Sequence, residues 1–198
     1  WLRAVAEVVE WDKEHKPVRV IGIKTDITEN KQQQEELEKR AHYDVLTQLP
    51  NRTLFSGRFY EAIAQCKKNG SFLAICFLDL DNFKLVNDDF GHDVGDQLLI
   101  DVAERIKSHL REEDTVSRQG GDEFTLLLSD LDSYEQCEEM LKRIQKSLAE
   151  PYLINGYPHK ISASIGITLY PNDNADMDTL IRHADQAMYQ AKISGRSR

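Results

Sequence analysis

The sequence predicts an α/β fold in which a mixed central sheet carries helices on its faces. The largely apolar run from Phe72 to Leu80 lacks the alternation of a half-exposed strand, which is typical of a central strand covered on both sides. The pair Gly120-Gly121 joins two short apolar stretches and predicts a hairpin. Helical and extended patterns do not alternate strictly, so a purely parallel sheet is not expected.

Residues 1–27 predict a β-hairpin. Apolar residues alternate in Ala4–Trp11 and in Val18–Ile23, and the polar segment Asp12–Lys16 separates the two stretches. A two-stranded hairpin is marginally stable in water, so we expect it to have belonged to a larger sheet. The alternative is a self-contained extension packed on the main domain. Because the chain opens at Trp1 without a methionine, we expect a fragment of a longer protein.

Residues 28–43 predict a linker helix. Asp26-Ile27-Thr28-Glu29 has the form of a capping box, and the following residues are rich in Gln, Glu and Lys. The apolar seam is thin, so a dimerising helix and a merely exposed helix both remain open.

Residues 44–198 predict the main domain. Amphipathic patterns at helical spacing recur along it, and a clean alternation precedes the last of them. The predicted helices are Leu54–Cys66, Asn82–Phe90, Asp96–Leu110, Tyr134–Leu148 and Asp176–Ile193, and the late strand is Lys160–Leu169.

The composition excludes several classes of protein. A formal net charge of -9 disfavours sequence-independent binding to nucleic acid, which requires clustered cations. No apolar run approaches the ~20 residues that cross a bilayer, so no membrane contact is expected of this segment. Three widely spaced cysteines indicate neither a disulfide framework nor a zinc site, and favour a reducing cytoplasm.

Carboxylates fall where predicted strands end. Asp79 and Asp81 close the apolar run and are expected in solvent, while Asp122 and Glu123 lie at the hairpin tip. Separate elements can bring such groups around Mg²⁺, which prefers a few carboxylates together with water and substrate phosphates. The alternative is a set of ordinary solvated turn residues.

Five motifs resemble the GGDEF domain family. Residues Arg118–Phe124 read Arg-Gln-Gly-Gly-Asp-Glu-Phe, which is similar to the signature that names the family. Further similar segments follow the family's order: Asp44–Arg52, Phe77–Lys84, Asn87–Asp96 and Ala187–Arg196. The resemblance thus covers Asp44 to Arg196, with Ser197 as a departure from the usual Asn.

The resemblance implies a diguanylate cyclase that condenses two GTP molecules into cyclic di-GMP, on a fold resembling the nucleotidyl cyclase and polymerase palm. It implies that Asp79, the Leu80 carbonyl, Asp122 and Glu123 hold two Mg²⁺ or Mn²⁺ ions. Asp122 and Glu123 are the implied catalytic residues, with Asp122 as proton acceptor for the attacking 3′-hydroxyl.

The resemblance also implies the substrate contacts. These are Phe83, Asn87, His92, Asp96, Gly120, Gly121, Lys192 and Arg196. Asn87 and Asp96 offer an amide and a carboxylate to the guanine edge. His92 could instead make only local hydrogen bonds, and Lys192 and Arg196 could simply complement the helix dipole.

Regulation is implied at two places in the chain. Arg111 and Asp114 match the Arg-x-x-Asp of the family's inhibitory site, where cyclic di-GMP binds as product. Residues Arg19–Glu29 resemble the end of a PAS sensor domain. A homodimer in the bacterial cytoplasm is implied, and the full-length protein could be membrane-anchored elsewhere.

Two alternatives to the predicted function remain open: a non-catalytic regulatory module that binds GTP or cyclic di-GMP, and a nucleotidyl cyclase with another product.

Overall fold

A computed structural model of the chain describes residues 1–193 and 195. The chain divides into two compact units, Trp1–Ala41 and His42–Arg198. None of the described helices is both long and apolar enough to cross a membrane.

The first unit contains an antiparallel hairpin of β1 (Leu2–Trp11) and β2 (Pro17–Asp26), as the sequence predicts. The Asp12 carboxylate accepts hydrogen bonds from the backbone amides of Glu14 and Lys16, which closes the connection. The hairpin buries no residue, and the paired side chains Val5 and Ile23 are 58% and 69% exposed. An apolar hairpin this exposed lacks the partners that a stable sheet requires.

Helix α1 spans Thr28–His42. The Asp26 carboxylate accepts a hydrogen bond from the Thr28 amide and so satisfies one of the unpaired donors at the start of the helix. None of its residues is buried, and Glu36 and Arg40 form an exposed ion pair at 2.6 Å. The helix therefore has the solvated character that its composition predicts.

The second unit holds the remaining elements in the following order. They are α2 (Arg52–Asn69), β3 (Phe72–Asp81), α3 (Phe83–Phe90), α4 (His92–Lys107), β4 (Thr115–Gly120), β5 (Glu123–Leu131), α5 (Tyr134–Leu148), β6 (Tyr152–Ile154), β7 (Tyr157–His159), β8 (Ser162–Tyr170) and α6 (Met177–Ile193).

A four-stranded sheet of order β4-β5-β3-β8 forms the centre of this unit, and all its neighbouring strands pair antiparallel. Side chains of β3 alternate between two apolar layers. Leu73 and Ile75 pack with residues of α2 and α6, whereas Ala74 and Cys76 pack with residues of α4 and α5. The predicted α/β class, with its covered central strand, is confirmed, but the four-stranded sheet is antiparallel throughout and not mixed as the sequence analysis expects.

Helix α6 approaches the sheet closely at Gly166 of β8. A Cβ placed on Gly166 would lie 2.0 Å from the Ala184 carbonyl oxygen and 2.2 Å from the Met188 amide nitrogen. Both atoms belong to the α6 backbone, so only glycine permits this packing distance. The approach fixes where the last turn of α6 lies.

The short hairpin of β6 and β7 is not predicted by the sequence analysis. Its turn residues Asn155 and Gly156 have positive φ values of 53° and 83°. Asn-Gly is a strong signal for a two-residue hairpin turn, so the signal was present between strands too short to show alternation.

Candidate active site

The sheet register brings the predicted metal-binding carboxylates together. Asp79, at the end of β3, pairs directly with Glu123, the first residue of β5. The Leu80 amide donates a hydrogen bond to the Asp122 carbonyl oxygen at 3.3 Å. Directly opposed residues of antiparallel strands have Cβ atoms about 4.5–5.5 Å apart, so two acidic side chains share one corner of the sheet.

This corner carries unfavourable negative charge. Burial raises the pKa of Asp79, and the charges of Asp122 and Asp81 raise it further, while Lys192 opposes the shift. Burial likewise raises the pKa of Glu123, followed by the charges of Asp79 and Asp122. Clustered carboxylates that disfavour one another's ionisation are relieved when a cation binds between them.

Lys192 supplies a cation from the last turn of α6. Its Nζ donates a short hydrogen bond to Asp79 Oδ1, and the two side chains are 27% and 15% exposed. The close packing at Gly166 sets the position of α6 and hence of this amine. Arg196, the other predicted phosphate contact, lies outside the described residues.

The donor set suits a metal that is completed by substrate. Across residues 1–193 and 195, no three His, Cys, Asp or Glu side chains converge into a ready-made metal site. Mg²⁺ is commonly bound by one or two carboxylates plus phosphate and water, so Asp79 and Glu123 fit such a partial site chemically. Lys192 offsets part of their charge.

The hairpin tip is fastened to the start of the domain. Arg118 donates from Nε and Nη2 to the Gly121 carbonyl oxygen at 2.9 and 2.8 Å, and from Nη1 to both oxygens of Asp44 at 3.0 and 3.1 Å. Gly120 and Gly121 have φ values of 143° and 53°, which favour glycine. The hydrogen bonds of Arg118 therefore fix the position of the predicted turn relative to Asp44.

Asp44 is a well-bonded carboxylate. It also accepts hydrogen bonds from the Thr47 amide and hydroxyl at 2.8 and 2.6 Å. Burial opposes its ionisation, but the Thr47 hydrogen bonds and the Arg118 guanidinium outweigh burial and lower its pKa. Asp44 and Arg118 both belong to motifs that the sequence analysis identifies. Their contact spans 74 positions of the chain, so no local sequence pattern predicts it.

The expectation that Asp81 points into solvent is wrong. Its side chain is 5% exposed, and its carboxylate accepts hydrogen bonds from the Ser162 and Ser164 hydroxyls at 2.6 and 2.8 Å. Both serines belong to β8, which pairs with β3 on the far side from β5. Asp81 therefore ties β8 to the strand that ends at the acidic corner.

Four of the predicted substrate contacts lie on two successive helices. Phe83 and Asn87 belong to α3, whereas His92 and Asp96 belong to α4, and Gly91 with φ 87° makes the bend between them. Phe83 is buried and Asn87 half-buried, while His92 and Asp96 are exposed. The side chains of Phe83 and Asn87 are thus less exposed than the ionisable side chains of His92 and Asp96.

The two predicted inhibitory residues differ in accessibility. Asp114 is 6% exposed, and its carboxylate accepts hydrogen bonds from the amides of Arg111 and Ser129, both at 3.0 Å. Burial raises its pKa. Arg111 is exposed and lines a concavity of about 430 Å³ together with Arg58 and Lys107. Asp114 also lines this concavity, but its carboxylate is bonded to backbone amides of the protein, whereas the Arg111 side chain is exposed.

Comparisons with known proteins agree with this geometry. The chain is 47% identical over 165 residues to the bifunctional diguanylate cyclase/cyclic di-GMP phosphodiesterase MucR of Pseudomonas aeruginosa, covering 82% of this chain and 24% of MucR. It is 43% identical over 161 residues to the cyclic di-GMP phosphodiesterase NbdA of the same organism, covering 81% of this chain and 20% of NbdA. The chain thus spans about a quarter or less of these two proteins.

A solved structure and a family model support the same assignment. The GGDEF domain of TpbB from Pseudomonas aeruginosa superposes with a TM-score of 0.74 at 42% identity, covering 79% of this chain and 91% of that one. The family model for the diguanylate cyclase GGDEF domain matches residues 41–198. The predicted family is confirmed, and the chain belongs to the GGDEF domain family of diguanylate cyclases.

Proposed function

We propose that this chain is a diguanylate cyclase that condenses two GTP molecules into cyclic di-GMP and two pyrophosphates. The observation that carries the proposal is the corner of the sheet where Asp79 faces Glu123 in register, with Lys192 bonded to Asp79. Carboxylates whose pKa is raised by burial and by neighbouring carboxylates, beside the Lys192 ammonium group, are suited to hold metal-bound triphosphate. TpbB, whose GGDEF domain superposes on this chain, carries the name diguanylate cyclase.

The reaction is an in-line displacement at phosphorus. The 3′-hydroxyl of one GTP attacks the α-phosphate of the other, the new phosphodiester forms, and pyrophosphate leaves; a second such step closes the ring. Asp122, at the hairpin tip, would accept the hydroxyl proton, with Glu123 as the other catalytic residue. Gly120 and Gly121 leave open space above the tip, so that a phosphate could approach the backbone.

Two divalent cations, Mg²⁺ or Mn²⁺, would be held by Asp79, the Leu80 carbonyl, Asp122 and Glu123. When bound, such ions stabilise the attacking and leaving oxygens of a phosphoryl displacement. Lys192 would then hydrogen-bond a phosphate oxygen in place of Asp79. Its ammonium group would offset the negative charge that develops on the leaving group.

Guanine would be read by α3 and α4. Asn87 can donate to and accept from the base edge, and the Asp96 carboxylate can accept from the guanine N1-H and N2-H groups. Adenine lacks that pair of donors, so GTP is preferred over ATP. Phe83, one helical turn before Asn87, is buried, and His92 is exposed at the start of α4.

One domain supplies half of the catalytic site, so we infer that the enzyme works as a homodimer in the bacterial cytoplasm. Residues 44–198 would form the cyclase domain, 28–43 a linker helix, and 1–27 the end of a PAS sensor domain. The exposed apolar surface of the hairpin supports a lost sheet partner. The linker helix would set how two domains meet and so shift the population of productive dimers.

Cyclic di-GMP would also inhibit the enzyme at Arg111. An exposed guanidinium beside Arg58 and Lys107 suits an anionic dinucleotide, because arginine binds phosphate in a bidentate fashion. The buried Asp114 carboxylate supports this role by holding the Arg111 backbone amide.

The test is incubation of the purified chain with GTP and Mg²⁺ at several protein concentrations, with detection of cyclic di-GMP by mass spectrometry. Product should rise faster than linearly with protein and vanish in Asp122→Ala. Folded wild-type protein that binds GTP but makes no product at any concentration would contradict the proposed activity.

The second candidate is a non-catalytic GGDEF module that binds GTP and regulates an attached domain. NbdA, at 43% identity, is named only as a phosphodiesterase, and this chain spans 20% of it. GTP binding that survives Asp122→Ala, together with absence of product from wild type, would favour this candidate.

A further inference from the structure

Gly95, in the first turns of α4, faces two of the predicted substrate contacts. A Cβ placed on Gly95 would lie 1.9 Å from Asn87 Oδ1, 2.9 Å from Asn87 Cγ and 3.3 Å from Phe83 Cζ. Gly95 itself is buried. The space that a methyl group would take is therefore already filled by the Asn87 carboxamide.

We propose that Gly95 is a positioning residue that holds the Asn87 carboxamide in the orientation required to bind a guanine nucleotide. The inference rests on the proposed function, in which Asn87 contacts the base. Separations below 3.0 Å between a Cβ and another heavy atom are not tolerated, so a side chain at residue 95 must move something. The first group to move is the carboxamide itself.

The consequence is displacement of Asn87 with little damage to the fold. The obstructing atom is the end of a side chain, which can rotate about its own bonds. Gly166 provides the contrast, because a Cβ there meets the backbone of α6, which cannot rotate away. Gly95 is therefore required by the ligand contact, whereas Gly166 is required by packing.

The perturbation is Gly95→Ala, tested in the full chain with the natural Asn87 and with Asn87→Ala. In the Asn87→Ala background both atoms that obstruct a Cβ more closely than 3.0 Å are gone. The matched control is Gly57→Ala in α2, where no heavy atom lies within 4 Å of the added Cβ. Ala is the better helix former, so the control should raise Tm.

Three quantities are measured for each variant: Tm, the Kd for GTP with Mg²⁺, and the Kd for tripolyphosphate with Mg²⁺ as a probe without a base. Gly95→Ala should weaken GTP binding on the order of tenfold, the size of one lost hydrogen bond to a partly buried partner. Tripolyphosphate binding should not change. A general loss of structure would weaken both probes.

The double variant gives the decisive comparison. If Gly95 acts through Asn87, Gly95→Ala in the Asn87→Ala background should cause no further loss of GTP affinity. It should also lower Tm less than Gly95→Ala does beside the natural Asn87, because only Phe83 Cζ, at 3.3 Å, remains close to the added Cβ. Such non-additivity is expected of residues in contact.

Either of two results overturns the inference alone: Gly95→Ala binds GTP as wild type does while Asn87→Ala binds it weakly, or the two losses multiply in the double variant. A wild-type chain that does not bind GTP, or whose GTP affinity Asn87→Ala leaves unchanged, would instead overturn the proposed base recognition and the inference with it.

Discussion

The link between Asp44 and Arg118 makes a quantitative prediction about the hairpin tip. In Asp44→Asn the Arg118 guanidinium loses a carboxylate whose two oxygens lie 3.0 and 3.1 Å from its Nη1. The Arg118 side chain is only 11% exposed in the wild type, so water replaces this contact poorly. Exposed ion pairs contribute about 0–1 kcal/mol, and breaking a fully buried pair costs about 3–5 kcal/mol. Because the Asp44 side chain is 21% exposed, we expect a loss of about 2 kcal/mol, between those limits.

The assay is urea unfolding of wild type and Asp44→Asn at pH 7. The matched control is Asp178→Asn, which breaks a pair with Arg52 at 2.9 Å whose side chains are 68% and 70% exposed. The control should change the unfolding free energy by less than about 0.5 kcal/mol. Equal losses in the two variants would refute the argument that burial gives the Asp44 pair its importance.

The pH dependence of the Asp44→Asn effect follows from the sign of its pKa shift. The pKa of Asp44 lies below its ordinary value of 3.8, so the carboxylate stabilises the fold at every pH above that value. Its contribution is lost as the pH falls through the lowered pKa of the folded state. The difference between wild type and variant should thus be constant from pH 7 to about 5 and shrink below about 4.

Three further predictions concern other parts of the domain. Gly166→Ala should lower the unfolding free energy by about 1–3 kcal/mol, since α6 must move, and urea unfolding measures this. Arg111→Ala should keep basal synthesis but lose inhibition by added cyclic di-GMP in a rate assay, and an unchanged response would contradict the inhibitory role. Glu123→Gln should abolish synthesis yet raise the unfolding free energy at pH 7, because it removes a charge that burial and then repulsion from Asp79 and Asp122 disfavour. Since the pKa of Glu123 is raised, that stabilisation should disappear below its ordinary value of 4.5, which unfolding at pH 4 would test.

Much of the fold was predictable because its signals are local. The covered strand β3 is predicted by its continuous apolar residues Phe72–Leu78. The hairpin of β4 and β5 is predicted by the turn residues Gly120-Gly121. For the candidate site, the sequence proposes the members but not their contacts. The pairing of Asp79 with Glu123 depends on the register of two strands, which no local pattern of the sequence states.

The fate of Asp81 shows why the rest could not be predicted. It stands two residues after Asp79, and alternation along a strand places both side chains on the same face in an ideal strand. Sequence therefore gives no reason to distinguish them. Their difference arises from β8, because Ser162 and Ser164 hydrogen-bond Asp81 and close it off, whereas Asp79 meets Lys192 and remains partly open.

The causes of the pKa shifts distinguish Asp44 from the two carboxylates that are proposed to bind metal, Asp79 and Glu123. Burial is the largest influence on both Asp44 and Asp79, so burial alone does not distinguish them. The hydrogen bonds that Asp44 accepts from Thr47 and Arg118 outweigh the effect of burial and lower its pKa, so its negative charge stabilises the fold. Asp79 and Glu123 instead have carboxylate neighbours among the causes that raise their pKa. A fold that retains such repulsion gives up stability that substrate-bound cations would restore, so GTP with Mg²⁺ should stabilise this domain more than GTP alone.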